Sequence, residues 1–264
     1  MSLVAEGRPA LIAALHLLPL PGSPAPSSGL EQVVVRARAD ARTMVEGGVD
    51  AIIVENLGDA PFAATQVEPF TIAAMTRVAL AVQQVAPKLS LGINVLRNDA
   101  IAAVSIAAAV GAQFIRVNVH TGVMATDQGL IQGTARRTLL ERNRLGANDV
   151  AIAADVLVKH ATPLGGPDLV STARDTWHRG RCAALILSGS GTGQPTDPED
   201  LHAVRVAIPD AQIWIGSGVD PDSAEHFLSA DAIIVGTYLH RNGALDEPVE
   251  LARVKALRDA LRRT

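Results

Sequence analysis

Short apolar runs alternate with helix-patterned stretches along the whole chain. The runs fall at residues 10–15, 51–54, 89–93, 114–117, 150–154, 183–187, 212–215 and 232–235. Helical periodicity occupies residues 30–46, 71–85, 100–110, 134–145, 168–179, 198–207, 222–228 and 248–262. Strict strand–helix alternation implies parallel strands joined by right-handed crossovers. Eight such units in 264 residues predict a single (β/α)8 TIM barrel over residues 1–264 rather than an open sheet. Punctuation agrees with this division. Gly47-Gly48 and Gly111 stop helices, and Asp197 followed by Pro198 starts one.

Composition narrows the function classes. Hydrophobic residues make up 48% and aromatics 3%, so the core is built from Ala, Val, Ile and Leu. A net charge of −4 gives no electrostatic case for nucleic acid or an anionic membrane surface. Cys182 is the single cysteine, which rules out an intrachain disulfide and a cysteine-based zinc site. No stretch of 18 apolar residues and no signal-peptide pattern is seen, so a cytoplasmic protein without a membrane span is expected. Ala- and Val-rich helix faces leave a homo-oligomer open.

Two strand ends carry an anion signature. Ile215-Gly216-Ser217-Gly218-Val219 and Val235-Gly236-Thr237 each break from an apolar run into glycine and a hydroxyl residue. They lie about 20 residues apart, as successive barrel strands holding a phosphate between their loops would. Glycine lets backbone N–H groups approach an anion. Gly216, Ser217, Gly218, Gly236 and Thr237 are therefore the predicted phosphate ligands. The segment Ser188-Gly189-Ser190-Gly191-Thr192-Gly193 is a third glycine-rich loop and reads as a lid or an added phosphate nest.

The remaining polar strand ends supply chemistry. His16, Glu55, Asn56, Asn94, Asn118, His120, Asp155 and Ser188 all follow apolar runs, and a barrel gathers such ends on one face. Glu55, directly after Ile52-Ile53-Val54, is the best candidate for acid/base work; the plainer reading is a salt bridge to Arg97 or Arg116. Asp155 and Lys159 form a second pair, with Lys159 a proton donor, a phosphate ligand or a Schiff-base nucleophile. His16 completes the catalytic set. Asn56, Asn94, Asn118, His120 and Ser188 are assigned to substrate binding. His16, Glu55, His120 and Asp155 could converge on a divalent ion, but no His-Glu-x-x-His spacing is present, so no metal or other cofactor is predicted.

Several strings resemble the BtpA/SgcQ family. They are Leu15-His16-Leu17-Leu18-Pro19-Leu20-Pro21-Gly22-Ser23-Pro24, Gly48-Val49-Asp50-Ala51-Ile52-Ile53-Val54-Glu55-Asn56 and Gly92-Ile93-Asn94-Val95-Leu96-Arg97-Asn98-Asp99. Phe114-Ile115-Arg116-Val117-Asn118, Asp155-Val156-Leu157-Val158-Lys159-His160 and the 188–193 loop are also similar. The resemblance implies a barrel of the ribulose-phosphate-binding kind. It also implies relatives linked to photosystem I biogenesis in cyanobacteria, or encoded beside sugar transport and metabolism genes. His240 departs from it, standing where the resemblance implies lysine.

The expected function is thus an isomerase- or lyase-type enzyme acting on a phosphorylated, sugar-phosphate-like small molecule. The alternative is an assembly or regulatory factor acting through a protein partner. A glycosidase-like pair of Glu55 and Asp155 is a third reading, which depends on the separation of the two carboxylates.

Overall fold

The computed structural model describes residues 8–189 and 196–262. Eight parallel strands close into a barrel: β1 (Ala10–His16), β2 (Ala51–Glu55), β3 (Ser90–Asn94), β4 (Phe114–Val117), β7 (Ala151–Asp155), β9 (Ala184–Leu187), β10 (Ile213–Ile215) and β11 (Ala232–Val235). Their order around the barrel is β1-β11-β10-β9-β7-β4-β3-β2, so each strand neighbours the next barrel strand in the chain. Helices α1 (Leu30–Gly47), α2 (Pro69–Val85), α3 (Ala100–Val110), α4 (Ala135–Arg144), α5 (Leu169–Arg174) and α6 (Pro198–Ala207) fill the connections from β1 to β10, and α7 (Leu251–Ala260) follows β11. Gly48 and Gly111 end α1 and α3 in the left-handed conformation, and the Asp197 carboxylate accepts from the Glu199 N–H to start α6.

Strand periodicity determines what reaches the site. Side chains alternate between the two faces of a strand. The barrel interior is packed by Ala10, Ile12 and Ala14 of β1, Ala51 and Ile53 of β2, Phe114, Ala153, Ala184 and Ile186, Trp214, Ala232 and Ile234. Phe114 meets Trp214 edge-to-face at 5.4 Å, and Phe114 fills the space left by Gly92. The intervening residues, such as Leu11, Ala13, Ile52, Val54, Ile115 and Ile233, pack outward in the larger core formed with the helices. Extending each interior column by two residues leads to His16, Glu55, Asn94, Arg116, Asp155, Ser188, Gly216 and Gly236. In the observed register His16 pairs with Glu55, and Glu55 with Asn94.

The structure differs from the expected elements in three places. Residues 121–133 are not a plain connection. They contain the hairpin β5 (Val123–Thr126) and β6 (Gly129–Gln132), and β8 (Ala161–Pro163) joins β5 to make a three-stranded antiparallel sheet. Met124 and Ile131 of this sheet bury against Val119 and Val158, which follow β4 and β7. The expected helix at 222–228 is only a 3-10 turn at Ala224–Phe227. The helix expected at 168–179 is a short α-helix that widens into a π-turn at Asp175–Arg179.

Candidate active site at the C-terminal mouth of the barrel

A cavity of about 260 Å³ opens where the strands end. Its walls include His16 of β1, Glu55 of β2, Arg116 of β4, Lys159 after β7, residues 216–220 after β10 and residues 234–238 of and after β11. Arg253 of α7 closes one side. The sequence-predicted residues His16, Glu55, Lys159, Gly216, Ser217, Gly218, Gly236 and Thr237 therefore share one cavity.

Arg116 is buried. Its Nε and Nη2 donate to Asp155 Oδ2 and Oδ1 at 2.9 and 2.8 Å. Asp155 also accepts from Asn118 Nδ2 and from Ser188 Oγ, each at 3.2 Å. Asn94 Nδ2 donates to Asn118 Oδ1 at 3.0 Å and to the Arg116 carbonyl at 3.1 Å. Burial alone would lower the Arg116 pKa, but the Asp155 charge and hydrogen bonds, with Glu55, raise it above the ordinary value. Asn94, Asn118, Asp155 and Ser188 thus form a network that holds a permanent guanidinium beneath the cavity. With both its oxygens engaged, Asp155 offers no free second carboxylate for a glycosidase-type pair.

Glu55 stands apart from that network. Its Oε2 is 3.9 Å from Arg116 Nη1 and its Oε1 is 4.0 Å from His16 Nε2, and its carboxylate makes no hydrogen bond among the described residues. A carboxylate that faces a cavity between a cation and an imidazole, with its lone pairs uncommitted, can accept a proton from a ligand. His16 stacks on His240 with ring centroids 5.8 Å apart and planes within 5°. Burial, then His240, Lys159 and Arg116, lower the His16 pKa to about 3, so the ring is neutral near pH 7. A Cβ on Gly236 would lie 2.2 Å from His16 Cε1, so only glycine leaves room for this ring.

The glycine ends form the opposite wall. Gly218 has φ +75°, a conformation that L side chains rarely adopt. Among the described residues the backbone N–H groups of Gly218 and Val219 have no acceptor, and both residues line the cavity. Free amides in successive residues of a turn form an anion nest. Beside them, the Arg253 guanidinium lies 4.3 Å above the Tyr238 ring, and its Nε donates to the Tyr238 carbonyl. A fixed cation therefore stands at the same wall.

Two predicted residues are placed elsewhere. Asn56 donates to Asp59 and accepts from the Leu96 N–H, and it lines a separate cavity with Asp59 and Leu96. His120 is buried with Nε2 2.9 Å from the Gly180 carbonyl, and it is absent from the wall of the mouth cavity. Residues 190–193 of the expected lid lie outside the described residues. Cys182 is buried, which pushes its thiol up to about 12, in keeping with an inert packing role. Among the described residues no group of three or more His, Cys, Asp or Glu is placed to hold a metal ion, and no helix is long and apolar enough to cross a membrane. Sequence reasoning did not assign Arg116, His240 or Arg253 to the site. Strand parity could have found Arg116, since it falls on the interior column that begins at Phe114.

Comparison with known proteins agrees with this architecture. The model described as "BtpA family" matches residues 8–263. The photosystem I biogenesis protein BtpA of Synechocystis sp. is 48% identical over 254 residues, covering 95% of this chain and 87% of that protein. The putative sgc region protein SgcQ of Escherichia coli is 33% identical over 250 residues, covering 93% and 91%. Among solved structures, 3-hexulose-6-phosphate synthase from Salmonella typhimurium superposes with a TM-score of 0.58 at 16% identity, covering 96% of this chain and 98% of that one. That likeness speaks for the barrel fold alone.

Proposed function

The chain belongs to the BtpA family, and we propose that it is an enzyme acting on a phosphorylated, sugar-phosphate-like small molecule by acid/base chemistry. One observation carries the reading: the unpartnered amides of Gly218 and Val219 line the same cavity as the uncommitted carboxylate of Glu55. The phosphate is held by those amides with Ser217, Thr237 and Arg253. Remote binding energy of this kind orients the reacting carbon against the catalytic group. Glu55 removes a proton from that carbon, and the charge left on the ligand oxygen is met by Arg116, with the neutral His16 ring as hydrogen-bond partner. Proton transfer by a positioned carboxylate contributes roughly 10²–10⁴-fold in rate. Isomerisation and eliminating lyase reactions both begin this way. The solved structure named as a hexulose-phosphate synthase, although only a fold relative, carries a phosphorylated sugar in its name and supports the choice of substrate class.

The test is thermal stabilisation by inorganic phosphate, sugar phosphates and nucleoside phosphates, with wild type compared with Gly218→Asp and Glu55→Gln. A ligand at 100 times its Kd adds about 2.7 kcal/mol to stability. The reading requires stabilisation by a phosphorylated class that is lost in Gly218→Asp and retained in Glu55→Gln.

The 48% identity to a protein named for photosystem I biogenesis favours a second reading, an assembly factor that works through a protein partner. That reading expects no stabilisation by any phosphorylated compound, and partner binding that Gly218→Asp and Glu55→Gln leave intact.

A further inference from the structure

The chain has three lysines. Lys88 and Lys255 are exposed on the surface, whereas Lys159 lines the mouth cavity. Its ammonium has no hydrogen-bond or ion-pair partner among the described residues. Of the two carboxylates close enough to act on it electrostatically, Asp155 is committed to Arg116, which leaves Glu55 as the available proton acceptor.

The backbone around Lys159 is built to hold it there. Leu157 and His160, neither of them glycine, adopt left-handed φ values of 53° and 56°. Such residues persist only where the surroundings enforce them. Arg97 donates to the Lys159 carbonyl at 2.5 Å, and Ala161, two residues on, pairs with Thr126 in the antiparallel sheet. A solvated surface lysine needs none of these constraints. Burial, followed by the nearby Arg116, lowers the Lys159 pKa below its ordinary value, with Glu55 and Asp155 opposing and Arg97 adding to the effect.

We infer that Lys159 acts covalently: its amine condenses with the carbonyl of a phosphorylated aldehyde or ketone whose phosphate sits on the Gly218 and Val219 amides. This rests on the phosphate reading, narrows its substrate class, and puts the electron sink on an imine in place of the ligand oxygen facing Arg116. The nitrogen lone pair forms the new bond to the carbonyl carbon, and the C=O π pair moves to oxygen. A proton from nitrogen passes to that oxygen to give a carbinolamine. Glu55, which took the ammonium proton to free the amine, returns it to the hydroxyl, and loss of one water then gives the protonated imine, with no change in oxidation state. The C=N+ group then accepts the electron pair released when an adjacent C–H or C–C bond breaks, and Glu55 takes or returns the proton. Hydrolysis with one water frees the amine again.

The experiment is borohydride trapping on the full-length protein. Glyceraldehyde 3-phosphate, dihydroxyacetone phosphate, ribose 5-phosphate, ribulose 5-phosphate and fructose 6-phosphate are each incubated with and without borohydride. Intact mass and peptide mapping then locate any adduct, and thermal stabilisation by the same compounds is measured in parallel. The expected result is a borohydride-dependent gain of one compound's mass less one oxygen, on the Lys159 peptide, with near-stoichiometric yield. Lys159→Arg keeps the cation but offers no comparable nucleophile, so it retains stabilisation and loses the adduct. Stabilisation without an adduct overturns the covalent role while leaving the phosphate site standing. Adducts confined to Lys88 or Lys255 overturn it as well. Neither stabilisation nor adduct overturns both readings.

Discussion

Arg116 and Asp155 face one another across neighbouring strands, joined by two parallel hydrogen bonds of 2.9 and 2.8 Å with both side chains buried. The pair fixes the position of the only guanidinium that approaches Glu55 to within 4 Å among the described residues. Removing one member of a buried pair strands the other charge, at a cost of about 3–5 kcal/mol, whereas replacing both by apolar residues is often neutral. Urea unfolding of Arg116→Met is therefore expected to show a loss of that order. The double variant Arg116→Met/Asp155→Leu should recover most of it. Equal instability of the single and double variants would mean that the pair does not anchor the floor of the site.

The buried imidazole makes stability depend on pH. His16 titrates at about 3 in the fold against 6.5 in the unfolded chain. Below about pH 6.5 the unfolded state takes up a proton that the folded state refuses, so this contribution to stability falls as pH drops toward 3 and is level above 6.5. The expected slope is about 1.4 kcal/mol per pH unit for one proton. Denaturation of wild type and His16→Gln at matched pH isolates it. Their stability difference should be constant from pH 7 to 8 and should shift against wild type as the solution is acidified. Parallel curves down to pH 4 would contradict a buried neutral ring.

Gly236 is expected to tolerate no side chain. Alanine there would place Cβ 2.2 Å from His16 Cε1 and 2.8 Å from its Nε2. The ring must move off His240 and away from Glu55, at a cost of about 1–3 kcal/mol for overpacking. Calorimetry of Gly236→Ala should record that loss together with weakened ligand stabilisation. Unchanged melting and binding would show that the His16 position is not set by this contact.

Glu55→Gln separates binding from chemistry. The amide keeps the shape of the side chain and cannot accept a proton as a base, so turnover should fall roughly 10²–10⁴-fold. Phosphate affinity, determined on the opposite wall, should change little. A variant that turns over normally would assign proton transfer to another group.

Much of this was legible in the residues because barrel construction is repetitive. Alternating apolar runs and capped helices led to eight strands, and the closed barrel has eight. Several residues expected just past a strand, namely His16, Glu55, Asn94 and Asp155, are instead its last residue. That one-residue extension explains why they share a face, since they continue the interior column of their strands. Asn56 falls one step later and turns aside to donate to the Asp59 carboxylate. Arg116 was hidden because it lies inside β4, where a charged residue reads as an incidental salt-bridge partner until a partner such as Asp155 is seen beside it. The hairpin of β5 and β6 was missed because its strands are only partly buried and lack the fully buried apolar run that marks the equally short β4, β9 and β11. The loss of Asp155 from the free catalytic groups depends on three donors from two other strands or their ends, a convergence that no local pattern encodes.

The most direct measurement is a crystal structure of the protein with the phosphorylated compound that stabilises it most. Phosphate oxygens should lie within hydrogen-bond distance of the Gly218 and Val219 amides, with the reacting carbon turned toward Glu55 and Lys159. A phosphate seated away from the ends of β10 and β11, or a mouth cavity that stays free of the compound at saturating concentration, would contradict it.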